Sequence, residues 1–462
     1  MEMSHEVAVP ARFRGTILRP KDPGYDAARR IFNERLIARP AVIAQCAGVA
    51  DVRAALRLAC RHGLAITVRG GGHSVGGWSS IDGGLVIDLR PMRGIHVDPV
   101  TRSAWVGGGA RAIDLIVEAA EHDLAPVTGV TADVGLGGLL LGLGEGYLTP
   151  RYGFGVDNVL ALEVVTADER VLRVSADEHP DLFWAMRGAG ANFGVVTAMH
   201  LRLHPAPQQG VGGFVTFAGD DMPRVTRHLW AVMDHGSEHY FPLARYDIDD
   251  AGRRRVAVIP GHVGPPDVAE REVGELRQCG TPVSDETAPM SYLDLIGEIG
   301  GGGARADEPD PPRRQAWDLY QFPFGGDAQR QMDLLHDQVA GLVDTSRTPY
   351  LSLWRSVAPR APGVAPSAAP RHHGIALFIA SYWRDPGDDD EQVRRVREIG
   401  AACAESGLVT EAADAINHVG TLDDARARRI YGDQAYDRLA RLKALYDPDN
   451  RFRRNCNIPP AP

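Results

Sequence analysis

Residues 68–77 read VRGGGHSVGG. Three consecutive glycines, Gly70, Gly71 and Gly72, stand between the apolar run LAITV (64–68) and His73, which Ser74 follows. Without a Cβ the backbone is free to adopt positive φ and to bring several N–H groups to one anion. The apolar run reads as a short buried strand feeding directly into that loop. The loop lacks the GK[S/T] ending of a P-loop, so nucleotide hydrolysis is a poor fit. On its own the stretch is compatible with an anion cradle or with a turn that His73 caps.

Working outward, the first 205 residues alternate short helices and strands. DVRAALRLACRHG (51–63) has apolar residues at helical spacing, with Asp51 placed to cap its start and Gly63 to end it. GGLVIDL and SAWVGGGA read as strands, RAIDLIVEAAEHDL as an amphipathic helix, and VLALEVVTADERVLRVS as a hairpin turning at ADER. Beyond residue 206 the texture changes. Strand-like runs (GGFVTFAG, RRVAVIPGHV, HHGIALFIASYW) alternate with helical ones such as DAQRQMDLLHDQVAGL. Two Pro/Gly-rich stretches, 300–314 and 358–370, break any regular structure, as site rims or as plain connectors. DPGDDDE (385–391) reads as a solvated turn before a helix, and the helix of the tail stops at Pro448.

The chain of 462 residues has a net charge of −10, with Lys and Arg dispersed, which argues against a nucleic-acid surface. No apolar run reaches membrane-spanning length, and the start carries no secretory pattern. The five cysteines are scattered without a CxxC pair, so a reducing cytoplasm is expected, with no zinc site and no other metal. GLGGLLLGLGEGY (135–147) is superficially like a dinucleotide fingerprint, but no buried strand precedes it. There is no GxSxG elbow and no HExxH.

Four blocks stand in order along the chain: VRGGGHSVGGWSSIDGGLVIDL, the second glycine-rich segment from Thr128 to Val171, HPDLFWAMRGAGANFGVVTAMHLRLHP (179–205) and YGDQAYDRLARLKALYDPDNRFRRNCNIPP (431–460). Together they resemble the berberine-bridge-enzyme-like FAD-linked oxidases of the p-cresol methylhydroxylase / vanillyl-alcohol oxidase superfamily, in a bacterial secondary-metabolism branch. The stretch 206–409 carries no matching motif. The resemblance implies an α+β, two-domain flavoprotein. Residues 1–205 would form the FAD domain, to which 410–462 return, and 206–409 a substrate domain built on an antiparallel sheet covered by helices.

It further implies that His73 is bonded to the flavin 8α-methyl, in a loop of Arg69, Gly70, Gly71, Gly72, Ser74 and Gly77. The rest of the FAD would lie against Thr128, Gly129, Thr131, Val134, Gly135, Gly137, Gly138 and Gly142, then Gly194, Val195 and Val196, then Asn455 and Asn457. Many relatives carry a cysteine for a second flavin bond where this chain has Thr131, so a single link through His73 is expected. Leu143 and Glu145 alter the usual GGGxG pattern. Glu145 is expected to face outward or pair with Arg151, a direct catalytic role being the alternative.

The implied activity is oxidation of a small or medium organic substrate (an alcohol, polyketide or alkaloid-like intermediate) by hydride transfer to flavin N5, with molecular oxygen giving H2O2. The tyrosine that many relatives use as base is missing: AINHVG has Ala415 there, followed by Asn417 and His418. His418, Tyr147 and Tyr382 are the replacement candidates. A favorskiiase-like oxygenase and a catalytically silent flavin-bearing protein stay open beside the oxidase. Tyr350, Trp354, Tyr382 and Trp383 are expected on the substrate face, and one of His372 and His373 should point inward.

Overall fold

A computed structural model describes residues 12–249, 251–298, 314–323, 328–341, 350–356, 364–371, 374–407, 416–419 and 424–462. The first sheet has four strands in the order Thr16–Leu18, Val42–Gln45, Leu85–Asp88, Ile66–Arg69. Its last three run parallel, buried by the helix Val49–Arg61 on one face, which is why they read as continuous apolar runs. Gly63 ends that helix at φ +61°, as its sequence position implies. Asp51 does not cap it. The helix starts at Val49, and the Asp51 carboxylate instead accepts from the N–H groups of Arg14 (2.8 Å), Gly15 (2.9 Å) and Ala47 (2.9 Å).

A second sheet is antiparallel, in the order Ile95–Asp98, Ser103–Gly107, Val195–Pro205, Val159–Val165, Val171–Ser175, with Leu124–Pro126 paired to the long strand. Its last pair is the expected hairpin around ADER. A third sheet holds seven antiparallel strands: Pro282–Asp285, Val215–Ala218, Arg254–Ile259, Leu243–Ile248, Tyr350–Ser356, Gly374–Trp383 and Arg314–Pro323.

Strand alternation gives this third sheet two different faces. Ile375, Leu377, Ile379 and Trp383 join Leu351 and Leu353 under the helices Met222–His235, Ala328–Gly341 and Asp389–Glu405. Ala376, Phe378 and Ala380 point the other way, into a core shared with the second sheet and the C-terminal helices Asp424–Tyr431 and Asp433–Tyr446. DPGDDDE is more than a solvated turn, because Asp389 accepts hydrogen bonds from Arg314 and from Trp383 Nε1. Residues 300–313 and 358–363, His372, His373, Ala415 and the side chain of Tyr350 lie outside the described residues.

Candidate flavin and substrate site

Where the three sheets approach one another the chain encloses a cavity of 330 Å³. Its floor comes from two glycine-rich loops pressed backbone to backbone. A Cβ on Gly71 would lie 2.4 Å from the Gly135 nitrogen, and one on Gly135 would lie 2.2 Å from that of Gly71. No side chain fits between them, so glycine is required at both positions. The second loop is held from above by Asn417. Its Oδ1 accepts from Leu143 N–H at 2.7 Å, and its Nδ2 donates to the carbonyls of Gly138 (3.0 Å) and Leu139 (3.3 Å). A Cβ on Gly142 would strike this amide at 2.5 Å.

His73 projects from the first loop. Its Nε2 lies 3.0 Å from Asp133 Oδ2, and its ring stacks on Phe32 with centroids 4.1 Å apart. Burial pushes the Asp133 carboxyl up, but the hydrogen bond and charge of His73 outweigh it, leaving the group below its ordinary value. From Phe32 an aromatic wall continues across the third sheet. Trp317 stands 6.5 Å from Phe32, Phe378 5.0 Å from Trp317, and His418 6.1 Å from Phe378. Tyr382 lies 6.1 Å from Trp317 on the same face. Burial pulls the His418 imidazole down to about 4, so it is neutral at physiological pH.

Of the residues expected at the cofactor, Gly70, Gly71, Gly72, His73, Ser74, Gly129, Thr131, Val134, Gly135, Gly138, Gly142 and Asn455 line this cavity. Gly137, Gly194 and Val196 line a second one of 110 Å³. The two cavities share Val68, Gly70, Gly138, Leu141, Ala191, Arg454 and Asn455.

Arg69, Gly77, Thr128, Val195 and Asn457, also expected at the cofactor, line neither cavity. Arg69 alternates to the far side of its strand. There its guanidinium donates to the carbonyls of Ala28 (2.6 Å) and Ser79 (3.1 Å) beside Asp88. Burial pulls it down to about 10. Gly77 turns the loop at φ +65° against Leu36. Thr128 bonds its own neighbour's carbonyl, and Val195 packs among the parallel strands.

Among the base candidates, His418 and Tyr382 line the cavity, whereas Tyr147 is fully buried in the core against Phe241. Glu145 neither faces outward nor meets Arg151. Its Oε2 accepts from Trp354 Nε1 at 2.9 Å, and Arg151 pairs with Glu238 at 3.3 Å. Trp383 lies on the helix-covered face, away from the cavity.

Sequence reasoning passed over Phe32, Trp78, Ser79, Trp317, Tyr431 and Arg454, all on the cavity wall. Cys456 also lines it, brought there by the fold although distant in sequence from the glycine loops. Signals existed for the segment Gly188–Asn192, which sits inside the recognised third block, but not for Phe32 or Trp317, whose neighbourhoods carry no motif.

The site fits a large polar ligand. Ser79 Oγ, Asn455 Oδ1, Trp317 Nε1 and His418 Nδ1 are buried on lining residues with no hydrogen-bond partner among the described residues. Each such group left unmet costs about 1–3 kcal/mol, so an array of four calls for a bound molecule. A Cβ on Gly138 would meet no protein atom within 4 Å, which leaves bare backbone facing both cavities. An extended dinucleotide with a tricyclic ring suits that pair of adjacent cavities.

Residues 40–175 match the FAD binding domain family and residues 407–459 the berberine and berberine-like family. The chain is 35% identical to (R)-6-hydroxynicotine oxidase of Paenarthrobacter nicotinovorans, over 99% of both chains. The chain belongs to the berberine-bridge-enzyme-like FAD-linked oxidoreductases. The FAD-linked oxidoreductase YgaK of Bacillus subtilis is 28% identical over 97% of this chain and 98% of its own. The crystal structure of 6-hydroxy-D-nicotine oxidase from Arthrobacter nicotinovorans superposes with a TM-score of 0.90 at 32% identity, covering all of both chains. Xylooligosaccharide oxidase from Myceliophthora thermophila shares the fold, with a TM-score of 0.82 at 23% identity over 97% of this chain and 98% of that one. The α+β, two-domain flavoprotein architecture expected from the sequence is therefore that of the chain, and FAD is its cofactor class. Among the described residues no helix is long and apolar enough to cross a membrane, and no cluster of acidic, His or Cys side chains could hold a metal ion.

Proposed function

We propose that this berberine-bridge-enzyme-like protein is an oxidase that holds FAD through a single bond to His73 and oxidises a compact, largely apolar organic molecule, reducing oxygen to H2O2. The observation that carries the reading is the aromatic wall that runs from His73 through Phe32 and Trp317 to His418, on a cavity whose polar atoms await a ligand. Bound FAD would supply the hydride acceptor and the means of passing two electrons on to oxygen.

The protein's own groups do the rest. The glycine loops around Gly71, Gly135 and Gly138 would lie along the cofactor phosphates, and Arg454, lining both cavities, would supply positive charge. Asp133 holds the His73 imidazole in one orientation, with Phe32 stacked on its face. Trp317 and Tyr382 exclude water from the reacting carbon and confine the substrate to something slim. His418, neutral through burial, offers a ring nitrogen to a substrate N–H or O–H. The five cysteines form no disulfide among the described residues, which suits a cytoplasmic protein.

The test uses purified protein precipitated with acid. Yellow colour should stay in the pellet for the wild type and pass to the supernatant for His73→Ala. Anaerobic addition of a substrate should bleach the flavin. Peroxide should then match oxygen consumed, with no label entering the product from isotopically labelled oxygen. Colour lost from the wild-type pellet would refute the covalent link, and labelled product would replace the oxidase by an oxygenase.

A further inference from the structure

Outside the flavin cavity, a groove of 660 Å³ opens at the edge of the third sheet, between the helix Asp389–Glu405 and the turn Glu34–Leu36. Its charged lining among the described residues is Arg35, Arg394 and Arg397 against Asp389, Asp390 and Glu398. The count is even, but the pairing is not. Arg394 is taken by Glu398, one helical turn on, at 2.7 Å. Asp389 is taken by Arg314, which does not line the groove, and by Trp383 Nε1 at 2.7 Å. Arg35 and Arg397 are left with no direct ion pair among the described residues, and Asp390 is exposed. Two guanidiniums thus share one groove with a single solvated carboxylate to answer them.

Arg35 is half-buried, and burial pulls its guanidinium down. Asp389 opposes that pull, while the like charges of Arg314 and Arg397 add to it. A cation taken out of water beside other cations is stabilised by any anion that reaches it.

Arg35 also stands at a junction. The strand Arg314–Pro323 lies at the edge of the third sheet, and the fully buried Asn33 supplies the partner that a further strand would. Its Oδ1 accepts from Gln315 N–H at 3.3 Å and its Nδ2 donates to Gln315 O at 3.0 Å. Arg35 Nε reaches the same carbonyl at 3.4 Å. Asn33 Nδ2 lies 3.4 Å from Val75 O as well, two residues past His73, and Gln315 is two residues before Trp317. Whatever fixes Arg35 therefore also fixes the contact between the His73 loop and the Trp317 strand.

We propose that Arg35 and Arg397 form a binding site for a small phosphate-type dianion, which ties the turn Glu34–Leu36 to the helix Asp389–Glu405 from outside the flavin cavity. Each guanidinium presents a planar fork that matches the oxygens of a phosphate, and two of them match its two charges. The groove is larger than the bare ion and leaves room for the body of a phosphate ester. None of this depends on the oxidase reading, since no residue of the groove lines either cofactor cavity.

The experiment titrates the flavin-loaded protein with inorganic phosphate in a calorimeter, at mildly alkaline pH and at an ionic strength held constant with chloride. With FAD in place, the probe cannot enter at the glycine loops. The wild type should take up one phosphate per chain, saturably. Arg35→Gln and Arg397→Gln should each weaken that uptake roughly 10- to 100-fold, the loss expected for charge-assisted hydrogen bonds. Arg384→Gln, which removes an exposed arginine outside the groove, should leave it unchanged. Tighter binding of glucose 6-phosphate than of inorganic phosphate would assign the site to a phosphate ester, and equal binding to the free ion.

No saturable heat above the chloride background would overturn the proposal. So would a saturable site whose affinity is the same in the wild type and in Arg397→Gln. Arg397 is exposed, so its replacement keeps the test decisive even if Arg35→Gln fails to fold. A gain in thermal midpoint that rises linearly with phosphate and survives in Arg397→Gln would be general salting-out, and would count against the site.

Discussion

His73 is the residue on which the cofactor reading turns, and Asp133 is its only ion-pair partner among the described residues. A histidine attacks an electrophile through a neutral ring nitrogen, so a carboxylate beside Nε2 orients the imidazole for that attack. Replacing Asp133 with Ala should therefore lower the fraction of flavin that survives acid precipitation severalfold, while flavin still copurifies before acid treatment. Unchanged acid-stable colour would reduce Asp133 to a surface partner of His73. At this scale the glycines and His73 were legible because each answers to a backbone or bonding need that few other residues meet. The side chain of Arg69 leaves the loop for a simple reason: adjacent residues at the end of a strand point to opposite sides, and this one goes to Ala28, Ser79 and Asp88. Glu145 was misread because its partner, Trp354, comes from a distant strand that no local pattern connects to it.

Elements carry the next level of information. The hairpin, the helix Val49–Arg61 and the buried strand Gly374–Trp383 followed from periodicity and apolar runs. Which face of the last strand meets the cavity did not, since both faces are buried and the sequence shows no alternation. Hence Trp383 was assigned to the cavity, whereas Phe378 of the same strand packs toward it.

The strand Val195–Pro205 supplies a prediction about pH. His204 stacks on Tyr152 at 3.8 Å and lies 2.7 Å from Asn158 Oδ1. Asn158 Nδ2 already donates to the carbonyls of Tyr152 and Phe154, so Oδ1 is the acceptor and His204 Nε2 carries the proton. Burial, helped by Arg202 and Arg151, pulls His204 down to about 4. The unfolded chain would bind a proton near the ordinary value of about 6.5, so between there and about 4 it binds more protons than the native state. Stability from this neutral, packed histidine is thus present above that range and is lost as pH falls through it. Denaturant midpoints of wild type and His204→Gln should differ most near pH 7.5 and converge toward pH 5, because the variant has no proton to gain. A gap that widens on acidification would contradict the assigned direction.

At the scale of the whole molecule, the cavity exists because the C-terminal segment returns to the first two sheets, and Lys443 secures that return. It is fully buried and donates to Asn192 O (2.7 Å), Phe452 O (2.9 Å) and the equally buried Asp447 (2.7 Å). Asp447 also accepts from the N–H groups of Arg451 and Phe452, both at 2.8 Å. One ion pair thus joins the helix Asp433–Tyr446, the chain leading to the cavity residues Arg454, Asn455 and Cys456, and the Ala191–Asn192 wall. That the C-terminal block belongs with the glycine loops was legible through the resemblance of both to one family. The physical link was not, because a lysine in a charged amphipathic helix reads as a solvated side chain until its neighbours are known.

Lys443→Met preserves length and packing but leaves the Asp447 carboxylate buried without its cation. Breaking a buried pair from one side costs about 3–5 kcal/mol, a large part of the stability of any single domain. The expected result is a lower denaturant midpoint together with a lower flavin content at purification, since Asn192, Asn455 and Arg454 all line the cofactor cavity. A lower midpoint with full flavin content would mean that the pair holds the helix alone. An unchanged midpoint would mean that the hydrogen bonds from Arg451 and Phe452 to Asp447 suffice to keep the C-terminal return in place.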